Sequence, residues 1–204
     1  MGSVYIDPEF KNYIVPFSQR SASDANKILV RGSRIPINEN ATTTRAFIWW
    51  TNIRNGGFDS RVDIDLSAAI YDENWNFVEH ISYTRLRSDA IRAYHSGDIT
   101  NGGSVNGAGV SEFLDVNINA VATRGRYIVY QIYSYTGQKF ADMPNCRFGW
   151  MERDKVNSGE VFEPSTVAMN LDVTSKSRVA IPVIFDCKER KFIWCDMNLG
   201  LNEN

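Results

Sequence analysis

An all-β chain folded as an antiparallel β-sandwich is predicted by three observations. Apolar and β-branched runs of strand length recur along the sequence, turn-forming residues separate them, and no long segment repeats apolar residues at helical spacing. The run at 45–52, Arg-Ala-Phe-Ile-Trp-Trp-Thr-Asn, suits a central strand covered on both faces. Further strands are expected at 61–71, 77–84, 112–118, 127–135, 147–152, 165–173, 178–185 and 191–196. Turns are expected at Asn55-Gly56-Gly57, Asp72-Glu73-Asn74, Thr136-Gly137-Gln138 and 186–190. One short helical turn fits 119–124, before Gly125, while 18–26 and 36–44 read as polar surface loops. A length of 204 residues suits one such domain, 1–204, with 1–44 as an N-terminal extension packed on it.

Composition narrows the function classes. Hydrophobic residues make up 43% and charged residues 23%, enough apolar surface for a sizeable core. With 22 basic and 24 acidic residues the net charge is -2, so no electrostatic drive toward nucleic acid or an anionic membrane is expected. The longest apolar runs, such as Ile181 to Phe185 with Pro182 inside, fall far below bilayer-spanning length, which argues against direct membrane insertion. The first residues lack the basic start and apolar stretch of a secretory signal, which predicts a cytoplasmic protein. Cys146, Cys187 and Cys195 are odd in number and lack metal-ligand spacing, so reduced and buried thiols are expected.

Chemistry concentrates in two segments. In Arg61-Val62-Asp63-Ile64-Asp65-Leu66-Ser67, strand alternation projects Arg61, Asp63, Asp65 and Ser67 on one face and Val62, Ile64 and Leu66 on the other. Two carboxylates so placed repel and raise each other's pKa unless a cation, an arginine or solvent intervenes. One reading is a solvated sheet face neutralised by Arg61 or a cross-strand base. The other is a hard cation such as Ca²⁺, which takes six to eight oxygen ligands. The second segment, the glycine-rich loop 97–109, could contribute the Asp98 carboxylate, the Thr100 hydroxyl, the amides of Asn101 and Asn106, and backbone carbonyls turned inward at glycines. Glu112 follows where the chain re-enters a strand. Neither EF-hand spacing nor a phosphate-binding Gly-Lys-Ser/Thr motif is present in this loop.

Val62-Asp63-Ile64-Asp65-Leu66-Ser67, His95-Ser96-Gly97-Asp98 and Gly107-Ala108-Gly109-Val110-Ser111-Glu112 together resemble the TerD family of bacterial tellurium-resistance and stress-response proteins. Phe148-Gly149-Trp150-Met151 and Phe162-Glu163-Pro164 extend the resemblance, toward divergent TerD modules at the C-termini of larger bacterial proteins. The resemblance implies a non-enzymatic, calcium-binding β-sandwich acting as an interaction or sensing module in stress response, with an unidentified protein partner. Carried over by position, it implies Asp63, Asp65, Asp98 and Glu112 as metal ligands. Where the family's loop has further acidic residues, this chain has Ala108, Val110 and Ser111, so the resemblance implies one Ca²⁺ rather than two.

Other residues suggest different classes. His95 beside Ser96 and Asp98 offers the residue types of a small hydrolase, although side chains so close in sequence seldom converge as a triad. Trp49, Trp50, Trp75, Trp150 and Trp194, with Tyr130, Tyr133 and Tyr135, would make a carbohydrate-binding sandwich if several formed an exposed platform; core packing is the plainer expectation. Met143 reads as an exposed loop residue suited to a partner contact, and 152–155 as a solvated charged turn.

Overall fold

Alternation along the central strand β2 (Thr43–Trp50) decides how the domain is layered. Ala46, Ile48 and Trp50 point into the principal core, whereas Phe47 joins a second cluster with Phe113 and Met151 on the opposite face. The computed structural model describes residues 29–158 and 167–200. These residues build two antiparallel sheets that pack face to face as a sandwich.

The first sheet runs β1 (Arg34–Pro36), β14 (Lys191–Leu199), β13 (Val179–Asp186), β10 (Tyr127–Ser134), β5 (Ile64–Tyr71) and β6 (Phe77–Ile81). The second runs β12 (Val167–Asp172), β11 (Cys146–Arg153), β2, β9 (Val110–Asn117), β8 (Ala93–His95) and β7 (Arg87–Ser88). A small hairpin, β3 (Ile53–Asn55) with β4 (Phe58–Ser60), stands apart. One short helix, α1 (Ile118–Ala122), follows β9, its first turn capped by the Asn117 side chain accepting the Ala120 N–H. Among the described residues, no helix is long and apolar enough to cross a membrane.

Aromatic side chains bind the layers together. Trp150 of the second sheet stacks on Phe192 of the first at 4.1 Å between centroids, and Phe185 lies 4.7 Å from Phe192. Each fully buried side chain of this size contributes about 1.5–3 kcal/mol of transfer free energy. Tyr130, also fully buried, keeps its hydroxyl 2.9 Å from Thr44 Oγ1 across the interface, so its polar end is not left unsatisfied.

Several expectations are sharpened. The 61–71 run pairs as strand only from Ile64, and Asn55-Gly56-Gly57 closes the small β3–β4 hairpin. Within 36–44, only the stretch between β1 and β2 is loop. All three cysteines are free and buried, and burial pushes the Cys187 thiol up to about 12. Met143 is buried in the core, not exposed, because the 3₁₀ turn Phe140–Asp142 directs it inward. Arg153 in the charged 152–155 segment is buried as well, since it is the last residue of β11 and not part of the turn. The loop expected at 18–26 lies outside the described residues.

Candidate metal centre

Asp63 immediately precedes β5 and Asp65 is its second residue, so the alternation read in the sequence survives. Ile64 and Leu66 are core residues, while Asp65 shares the outer face of the first sheet with the half-buried Ser67. Both aspartates are nonetheless buried, at 3% and 6% exposure. Asp98 from the glycine loop reaches them, and one carboxylate oxygen from each of the three lies within 4.8 Å of the others. Asp63 Oδ1 and Asp65 Oδ2 have no hydrogen-bond partner. Buried carboxylate oxygens left unpartnered cost free energy that a cation would recover. Desolvation, followed by the charges of Asp63 and Asp98, pushes the Asp65 carboxyl up to about 6.

Among the described residues, Arg61 supplies a counter-charge. Arg61 donates to Asp63 Oδ2 at 2.7 Å and, through Nε, to the Thr100 carbonyl at 2.5 Å, so it clips the loop to the acidic strand while occupying one carboxylate oxygen. Its side chain is half exposed, which screens that ion pair. The turn after β10 braces the same segment. The Asp63 N–H donates to Thr136 Oγ1 at 3.0 Å, the Tyr135 N–H donates to the Asp63 carbonyl at 2.9 Å, and Gln138 Nε2 donates to the Arg61 carbonyl at 3.1 Å.

Asn52, at the exit of β2, anchors the glycine loop. Its Oδ1 accepts the N–H of Val62 at 2.9 Å and of Gly102 at 3.1 Å, and its Nδ2 donates to Asn101 Oδ1 at 2.9 Å. Gly102 is required there, since a Cβ would meet the Asn52 nitrogen and the Thr51 carbonyl carbon at 2.6 Å. Sequence reading placed Asn52 at the end of a strand and Thr136 and Gln138 in a turn, but gave none of them a role at the site. The only signal was position, each standing at the end of an apolar run where a polar side chain is free to bind backbone.

Glu112 takes a different place from the three aspartates. On β9 it shares the core-facing side with Leu114 and Val116 and is fully buried between the sheets. Its Oε2 accepts the Leu66 N–H and its Oε1 the Ile99 N–H, both at 2.9 Å. His95 Nε2 lies 2.9 Å from the Leu66 carbonyl, and the Gly97 N–H donates to His95 Nδ1 at 3.2 Å; this pattern assigns the neutral Nε2–H tautomer. The last β5 partner of β6 is Ala68. Glu112 and His95 therefore satisfy the Leu66 backbone where the neighbouring strand has ended. Burial pushes Glu112 up to about 8, against the lowering effect of its two amide donors, and holds His95 below its ordinary value. Their 3.5 Å approach is thus a contact of two largely neutral groups near neutral pH. Ser96 Oγ accepts the Phe113 N–H. Of the hydrolase residue types at 95–98, His95 and Ser96 hold the backbone and Asp98 joins the carboxylate cluster.

No family model matches the chain. A curated relative, the tellurium resistance protein TerZ of Serratia marcescens, is 31% identical over 94 residues, which cover 45% of this chain and 47% of that protein. The chain thus aligns with about half the length of that relative. A solved homologue of telluride resistance protein TerD, SCO6318 from Streptomyces coelicolor, superposes with a TM-score of 0.60 at 10% identity over 80% of this chain and 93% of its own.

The fold is TerD-like. A protein of unknown function, SAV2460, also superposes on this chain, with a TM-score of 0.57 at 16% identity over 79% of this chain and 94% of its own. At these identities the two solved structures speak for the fold alone. The TerD-like sandwich is what brings the segment 61–67 and the loop 97–109 to one end of the first sheet.

Proposed function

We propose that this chain is a non-enzymatic divalent-cation-binding module, with Ca²⁺ as its ion and a role related to tellurium resistance and stress response. The observation that carries the reading is the convergence of Asp63, Asp65 and Asp98, with buried, unpartnered oxygens on the first two. Carboxylate oxygens suit a hard cation, and these three residues would hold it. Glu112, expected among the ligands, is proposed instead as the group that positions the loop, because both its oxygens already accept backbone amides. The relation to TerZ supports the tellurium-resistance context. When bound, the ion would neutralise the acidic cluster and order the 97–109 loop, giving a surface for a protein partner.

Thermal unfolding with and without Ca²⁺ tests the reading. Excess Ca²⁺ over EDTA should raise the melting temperature of the wild type, by the equivalent of about 2.7 kcal/mol at a hundredfold excess over the dissociation constant. Asp65→Asn should unfold at a higher temperature than wild type in EDTA, since it removes a buried uncompensated charge, yet gain nothing from Ca²⁺. Equal Ca²⁺ stabilisation of Asp65→Asn and wild type would rule the site out.

A further inference from the structure

The outer face of the first sheet carries a trough of about 470 Å³, a volume in the range of small-ligand sites. Cross-strand register creates it. Asp65 pairs with Tyr133, Ser67 with Gln131, Ala69 with Val129 and Tyr71 with Tyr127. Small side chains at Ser67 and Ala69 thus form a low floor between the taller Tyr133 and Tyr71, and Tyr83, 41% exposed, adds a side wall. From Asp65 to Tyr71 the strand covers about 20 Å at the usual rise per residue.

The geometry points to this trough as a binding site for a neutral oligosaccharide, stacked on Tyr133 and Tyr83 and hydrogen-bonded through Gln131. Three observations favour that chemistry. The walls are tyrosines, whose flat faces accept the C–H faces of sugar rings while their hydroxyls bond to the ring substituents. Gln131, half-buried, lines the trough and offers an amide donor and acceptor to ring hydroxyls. Strand β10 is paired on both sides, and β5 is paired with β6 from Ala68 onward while Glu112 and His95 take the Leu66 backbone, so an extended peptide cannot add to the sheet here and recognition falls to side chains. This site goes beyond the cation reading and does not require it, although Asp65 stands at the end of the trough.

The test uses the whole chain, in Ca²⁺ and in EDTA, on an array of immobilised neutral oligosaccharides. Isothermal titration follows with soluble glucose-based and mannose-based tetrasaccharides. Binding in either buffer is expected, and Tyr133→Ala should weaken it at least tenfold while leaving the thermal response to Ca²⁺ and the circular dichroism spectrum unchanged. Tyr83→Ala, at a more exposed position, should weaken it as well and guards against a folding defect in the first variant. No binding at millimolar saccharide in both buffers overturns the proposal, whatever the Ca²⁺ melts show. Undiminished binding by both variants overturns the assigned trough. Tyr133-dependent capture of a proline-rich peptide, with no saccharide bound, overturns the ligand class.

Discussion

Two buried carboxyl groups set the residue-scale behaviour. Asp65 is raised to about 6 and Glu112 to about 8 from ordinary values of 3.8 and 4.5. Each holds its proton more tightly in the folded chain than in the unfolded one, so each makes stability fall as pH rises from its ordinary value to its raised one. His95 is lowered, and works in the opposite direction below about 6.5. Between pH 6.5 and 8 only the Glu112 effect remains of these three. Urea unfolding in EDTA should therefore lose stability across that window, by at most about 1.4 kcal/mol per pH unit, and Glu112→Gln should flatten the slope. A wild-type profile that rises from pH 6.5 to 8 would contradict the protonated, interior placement of Glu112. Asp65 carries a separate consequence, since Ca²⁺ must displace its proton and apparent Ca²⁺ affinity should fall as pH drops below about 6.

At the scale of elements, the glycine loop depends on its docking against the end of β2. Gly102 leaves no space for a methyl group against the Thr51–Asn52 backbone, and its N–H bonds to both the Val62 carbonyl and Asn52 Oδ1. Gly102→Ala should destabilise the fold by about 1–3 kcal/mol through overpacking. It should also speed hydrogen exchange at the Gly102 and Gly103 amides and weaken Ca²⁺ binding, because Asp98 sits on the displaced loop. Unchanged exchange there would mean that the loop is held from elsewhere. The sequence made the long strands legible because their apolar runs are continuous and their turns carry Gly, Asn and Asp. It left β1, β3, β4, β7 and β8 unmarked, since two or three residues cannot display a period. Asp63 and Asp65 were legible as a same-face pair from strand alternation alone. Glu112 was legible as a residue near the loop, but its direction was not; that depends on the register of β9 against β2, which pairs it with Ile48 on the core side.

For the whole molecule, the candidate centre is a product of long-range pairing. Its aspartates come from β5 of one sheet and from the loop between β8 and β9 of the other, so the strand and loop meet only once the sandwich has formed. Glu112 and His95 carry the same join through the core by capping Leu66. That convergence explains why motif spacing did not reveal it, and why the resemblance carried more information about the site than local pattern did. It also ties cation binding to folding, because the unfolded chain would not hold three carboxylates together. The most direct measurement is a calorimetric titration of Ca²⁺ into the purified chain at pH 7.5, repeated with Asp63→Asn and Asp98→Asn. One saturable site per chain, weakened or lost in both variants, is the predicted result. No binding heat together with no Ca²⁺-dependent change in melting temperature, or a titration that both variants leave unaltered, would contradict it.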